Sequence, residues 1–179
     1  MRGLYLVVIL VSMPVLAFGQ EQHQHQSDQA ECAKLTTDLK AVVSAMEGPG
    51  LPVEALPSRS AMEPLAPALQ RLDVTLHPAD RVALTATSKT EKRGEVPTFA
   101  GLLVFSVPRD GNYRVSADGA LWLDVLEGDK VLERRKLDRR IQCGHVHKSL
   151  GFALTAGVMY WLQLSGSKVQ EVRLLLSSE

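Results

Sequence analysis

From Arg71 to the end, the chain is cut into short apolar segments, and nearly every cut falls on turn chemistry. Leu72, Val74 and Leu76 alternate with Asp73, Thr75 and His77. A period of two buries one face of a strand. Residues 82–86 read as a further strand, and residues 99–107, apolar on both faces, as a central one. Asp110-Gly111-Asn112, Asp118-Gly119, Gly128-Asp129, Ala156-Gly157 and Gly166-Ser167 then punctuate segments 113–117, 120–126, 131–137, 148–154, 158–164 and 169–176. Turns at this spacing join antiparallel neighbours. No ten-residue helical pattern interrupts the series, which argues against an α/β fold. Residues 71–179 are therefore predicted to form one mainly β domain, an antiparallel, jelly-roll-like β-sandwich.

The N-terminal part reads differently. Cys32, Leu35, Leu39, Val42, Val43 and Met46 recur at helical spacing. With Asp28 as N-cap, Glu31 three residues on and Gly48-Pro49-Gly50 as a stop, they predict one α-helix over residues 28–47. Residues 48–70, with Pro52, Pro57, Pro64 and Pro67, read as an extended connector with one helical turn near residues 64–70. Lys89 to Pro97 (KTEKRGEVP) reads as a polar loop.

Ahead of the helix, Arg2 precedes an apolar run from Leu4 to Phe18 that ends in the small residues Ala17 and Gly19. This is the pattern of a cleavable secretory signal over residues 1–19. A membrane span needs about 20 apolar residues, and Pro14 breaks this shorter run. Residues 20–27 read as a disordered leader. The expected location is periplasmic or secreted, with no stable membrane span after cleavage.

Cleavage after Gly19 would leave nineteen basic against twenty acidic side chains, a formal charge of −1. Such a chain has no global field for nucleic acid. The apolar fraction of 45% is that of an ordinary globular domain. Cys32 and Cys143 are the only cysteines. An oxidising compartment favours pairing them in a disulfide.

Few residues suggest chemistry. His145 and His147, two apart, would point to one strand face, where a metal ion could bridge them if His77 or another ligand arrived. The leader repeats the spacing in His23 and His25 and is read as a solubilising tail able to scavenge Cu(II) or Zn(II). Arg134, Arg135, Lys136, Arg139 and Arg140 form a basic run with Glu133 and Asp138 interleaved. It reads first as a charged edge that blocks sheet-to-sheet pairing. An anion-binding face through Arg135 and Arg139 is the alternative. Trp122, Tyr160 and Trp161 are aromatics that a carbohydrate-binding face would use, and an exposed Trp161 would hint at one. G-x-S-x-G, P-loop and H-E-x-x-H patterns are absent from the sequence.

The stretches TLHPADRVAL, AGLLVFSVPRDGNYRVSADGALWLDVLEGDKVLE and CGHVHKSLGFALTAGVMYWLQLSG, about 100 residues in all, resemble a group of small exported bacterial β-sandwich proteins of unknown function. Some of these carry a transferred homogentisate 1,2-dioxygenase label. The strand–turn pattern is also similar, less specifically, to the prepeptidase C-terminal-type β-sandwich domains that follow secreted peptidases. The label fails a chemical check. A cupin-type iron site resembles H-x-H with Glu three or four residues on, where this chain has Gly151 and Phe152. The resemblance thus implies a fold and a compartment and carries no chemistry. The expectation is a non-enzymatic envelope protein without cofactor, binding an unidentified partner or ligand. Low-affinity metal binding through the H-x-H pair is the alternative, and an unrecognised enzyme stands third.

Overall fold

The computed structural model describes residues 32–60, 63–66, 70–85, 98–139, 141 and 143–179. The segments expected as signal (1–19) and leader (20–27), together with Asp28, Glu31, Ala86, the expected 89–97 loop and Arg140, lie outside them. Among the described residues, the α-helix α1 (Thr37–Glu47) and a single 3-10 turn at Ala79–Arg81 accompany eleven strands. These are β1 (Gly50–Glu54), β2 (Arg71–Thr75), β3 (His77–Pro78), β4 (Phe99–Ser106), β5 (Gly111–Ala117), β6 (Trp122–Glu127), β7 (Lys130–Val131), β8 (Lys136–Arg139), β9 (Lys148–Leu154), β10 (Met159–Ser167) and β11 (Glu171–Ser178).

Two sheets form, a six-stranded one in the order β1-β2-β11-β5-β9-β8 and a five-stranded one in the order β3-β4-β10-β6-β7. Every pairing is antiparallel except β1 with β2. The fold is a mainly β sandwich with an N-terminal helix. Its core lies between the sheets, where Val74, Val115 and Leu174 meet Phe105, Val125 and Leu162. The Phe105 and Tyr160 rings meet there with centroids 5.6 Å apart and planes tilted by 32°.

A second apolar cluster lies on the outside of the six-stranded sheet. Leu39, Val42, Val43 and Met46 of α1 pack with Leu175 of β11 and with Ile141, Cys143 and Val146. An isolated helix of eleven residues is marginal in water. Burial of the Leu, Val, Ile and Met side chains of the cluster contributes up to about 1.5–3 kcal/mol each. The Cys32–Cys143 disulfide closes this cluster, its Cα atoms 5.2 Å apart. Such a bond suits an oxidising compartment.

The structure departs from the expected elements at four places. Of the helix expected over residues 28–47, the described part is interrupted at residues 34–36. It restarts at Thr37 behind the N-cap Thr36, whose hydroxyl accepts from the Leu39 amide at 3.5 Å. A β-branched hydroxyl residue competes for backbone donors and favours caps over helix interiors. Residues 50–54, expected as connector, form β1, where Pro52 is tolerated because the strand lies at a sheet edge. Residues 82–85 are not a strand. The Ala83 amide donates to Pro57 O and the Thr85 amide to Gln163 Oε1, so this segment crosses the sheet instead of joining it. Segment 131–137 is not one strand either. It splits into β7 and β8, which belong to opposite sheets.

Candidate functional site

Inward positions of β6 and β10 belong to the core, so Trp122, Asp124 and Leu126 point to the outer side of the five-stranded sheet with Trp161, Gln163 and Ser165. Register fixes the pattern on that face. Val131, Leu126, Trp161 and Val104 form one cross-strand row, Asp124, Gln163 and Leu102 the next, and Trp122 with Ser165 a third.

Chain from both connectors borders and crosses this face. Leu56 and Leu65 bridge to Leu102 and Phe105 along the β4 edge. Thr85 reaches Gln163. Arg59 lies over the Trp161 ring at 5.5 Å and is held by Asp129 Oδ1 at 2.9 Å and Gly128 O at 2.8 Å. Trp161, the aromatic singled out from sequence, is therefore half-buried beneath a guanidinium. Trp122 is 41% exposed and is the one aromatic among the large exposed apolar residues described. Its indole rests against Gly166 near the end of β10, where a Cβ would come within 3.1 Å of Trp122 Cδ1. Burial pushes the Asp124 carboxyl above the ordinary range, partly offset by the positive charges of Arg134 and Lys148. The Ser165 hydroxyl is buried without a hydrogen-bond partner.

The histidines are distributed over two places. His77 sits on β3, its Nε2 2.6 Å from Ala55 O. His145 and His147 lie in the loop that precedes β9, not on a strand, and both are exposed on either side of buried Val146. Among the described residues, no three His, Cys, Asp or Glu side chains come together in a metal-binding group. At the positions checked against a cupin iron site, Phe152 is in the sandwich core and Gly151 is buried.

The basic run follows the crossing between sheets. Arg134 and Arg135 are exposed, and the Arg135 amide donates to Gly151 O. Arg139 ends β8, an outer edge of the six-stranded sheet, and its side chain lies outside the described residues.

Sequence reasoning missed Arg114. It is 1% exposed on the outer face of the six-stranded sheet, with Nη1 2.8 Å from Asp138 and Nη2 2.7 Å from Glu179. The Ser149 hydroxyl accepts from Nη1 at 3.2 Å and also meets the Ser116 hydroxyl. Nothing in the alternation Tyr113-Arg114-Val115-Ser116 distinguishes it from a solvated strand face.

No protein-family model matches the chain. No curated protein matches it. Among solved structures, β-glucosidase from Kluyveromyces marxianus in complex with glucose is similar at 13% identity and a TM-score of 0.33, over 55% of this chain and 12% of that one. A selenomethionine-labelled β-glucosidase from the same organism is similar at 12% identity and a TM-score of 0.33, over 52% and 12%. The chain thus spans 12% of the length of those proteins, and a likeness of this extent decides neither fold nor activity.

Proposed function

We propose that the chain is exported by a cleaved signal over residues 1–19 and acts in the periplasm or beyond as a non-enzymatic binding protein. Its ligand or partner in the cell envelope docks on the outer face of the five-stranded sheet at Trp122. The observation behind this reading is the indole itself, 41% exposed at the uncovered end of a face whose middle is roofed by its own chain. An aromatic held by a sheet offers a large contact area with little rotamer entropy to lose. A flat aromatic beside a carboxyl fits the C–H face and hydroxyls of a saccharide ring. In this reading the basic run of β8 is a charged edge and not the ligand face.

The test is a fluorescence titration of the exported protein with soluble peptidoglycan fragments and with delipidated lipopolysaccharide. A saturable blue shift is expected, and Trp122→Ala should abolish binding while leaving the unfolding midpoint in place. Binding that survives Trp122→Ala, or that disappears only when Arg135 is reversed to Glu, would move the site away from this face.

A further inference from the structure

We propose that Trp161 is a second stacking platform on the outer face of the five-stranded sheet, latched shut by the Arg59 side chain. The ligand is then a glycan chain that reaches from Trp122 to Trp161 and displaces the guanidinium. This inference rests on the reading of Trp122 as a saccharide site. Three observations carry it. First, the two indoles lie on one face of adjacent strands, and the Trp122–Ser165 pair is four residues along β6 from the Leu126–Trp161 pair. At the rise of an antiparallel strand these rows are about 14 Å apart. A single sugar ring cannot touch both indoles, whereas a chain of linked rings can. The Thr85 amide holds Gln163 on the β10 side, so the way between the indoles runs on the β6 side past Asp124, whose carboxyl can pair with hydroxyls.

Second, a side chain does the latching. The connector is fixed to β4 on either side of Arg59, where the Leu56 amide donates to Leu102 O at 2.8 Å and the Leu65 amide to Val104 O at 2.9 Å. From there the Arg59 side chain alone runs across β10, over the Trp161 ring, to Asp129 and Gly128 in the β6–β7 turn. Rotation about its own χ angles lifts the guanidinium off the indole and leaves those backbone bonds in place. Met159, two residues before Trp161 on the same face of β10, and Val131, in the Trp161 row, are both exposed. The indole beneath the latch therefore belongs to an apolar surface that solvent already reaches.

Third, the closed latch is weakly held. Its anionic anchor, Asp129, is 85% exposed, and an ion pair in water adds little and is screened by salt. Arg59 Nε is buried without a hydrogen-bond partner, which opposes closure, because an unpaired buried donor is costly and rotation into water satisfies it. A sugar ring stacked on the indole replaces the cover that the guanidinium gave. A ligand that needs the open form binds with an apparent affinity reduced by the open fraction, so removing the latch raises that affinity.

The experiment has two arms, both on the exported protein with its disulfide intact. The chain has two tryptophans, so Trp122→Phe leaves Trp161 as the sole indole fluorophore. Acrylamide should quench it at least twofold more efficiently once Arg59→Ala is added, and Asp129→Asn should act in the same direction. Quenching that ignores both changes overturns the latch. In the second arm, calorimetry compares a single peptidoglycan disaccharide with longer glycan chains cut from the same polymer. Affinity should rise at least tenfold with length, and Trp161→Leu should bring the longer chains down to the affinity of the single unit. Arg59→Ala should tighten the longer chains at least threefold. Affinity that is independent of length yet still needs Trp122 overturns this inference alone and leaves the reading of Trp122 standing. Long-chain binding weakened by Arg59→Ala would make the guanidinium a contact, which also overturns the latch. Failure of every fragment to bind removes the reading of Trp122 and this inference with it.

Discussion

Asp124 shows what one half-buried group does to the face on which it sits. Burial raises its pKa, and Arg134 and Lys148 only partly restore it. The folded chain therefore holds this proton more tightly than the unfolded chain does. From the ordinary aspartate value of about 3.9 upward to the raised one, the folded state binds more protons, and stability falls as pH rises through that window. Below it both states are protonated and the penalty vanishes; above it the penalty is constant. Asp124→Asn should thus unfold at a higher urea concentration than the parent at pH 7 and at the same concentration near pH 3. A difference that stays flat across that range would mean that the carboxyl titrates as an exposed one. The same residue scale explains why Trp161 and Trp122 could not be ranked from sequence. Both occupy outward positions, and what separates them is Arg59, a residue 102 positions from Trp161 that reaches across to cover it.

At the scale of elements, β8 is the piece that most needs an explanation. It has four residues, is rich in charge, and reaches the six-stranded sheet only after the chain leaves the other sheet at β7. Arg114 fastens it from the strand two places inward, binding Asp138 of β8 and Glu179 beyond β11. Gly151, opposite Arg114 in β9, leaves the space: a Cβ there would come within 3.1 Å of Lys136 Cβ and 3.5 Å of Glu179 Oε1. Arg114→Met would strand two carboxylates against each other, and removing one partner of a buried pair costs about 3–5 kcal/mol. Combining it with Asp138→Asn and Glu179→Gln should recover most of the loss in urea denaturation. If the triple variant is as unstable as the single one, the network acts through packing instead. Alternation made the strands legible: the segment 148–154 coincides with β9, β5 and β11 differ from their predicted bounds by two residues, and β10 runs three residues further than predicted. It could not reveal the crossing inside 131–137, because a strand that changes sheets keeps its period of two. Nor could it reveal the burial of Arg114, since an outward position reads as solvated until the elements around it are known.

For the whole molecule, the disulfide is the one covalent link between the segment before α1 and the β domain, apart from the main chain itself. The cysteines are 111 residues apart, and in the chain-entropy account a loop of that length raises the free energy of the unfolded chain by about 5 kcal/mol. This is comparable with the 5–15 kcal/mol by which domains are usually stable. The pairing was legible from cysteine count and compartment, and the partly buried position of Cys32 beside the α1 cluster agrees with the apolar stripe on which it was placed. Two effects of the bond can be separated. If it works only by pinning the front of α1, then Cys32→Ser/Cys143→Ser should speed hydrogen exchange in the helix and spare the sheets. If it works through the unfolded chain, the slowest amides of β5 and β11, which exchange only by global unfolding, should accelerate by up to about three and a half orders of magnitude. The second outcome is expected, because the apolar contacts of Leu39, Val42, Val43 and Met46 with Leu175 persist without the bond, whereas the loop closure does not. Acceleration confined to α1 would assign the bridge a local role and remove it as a source of global stability.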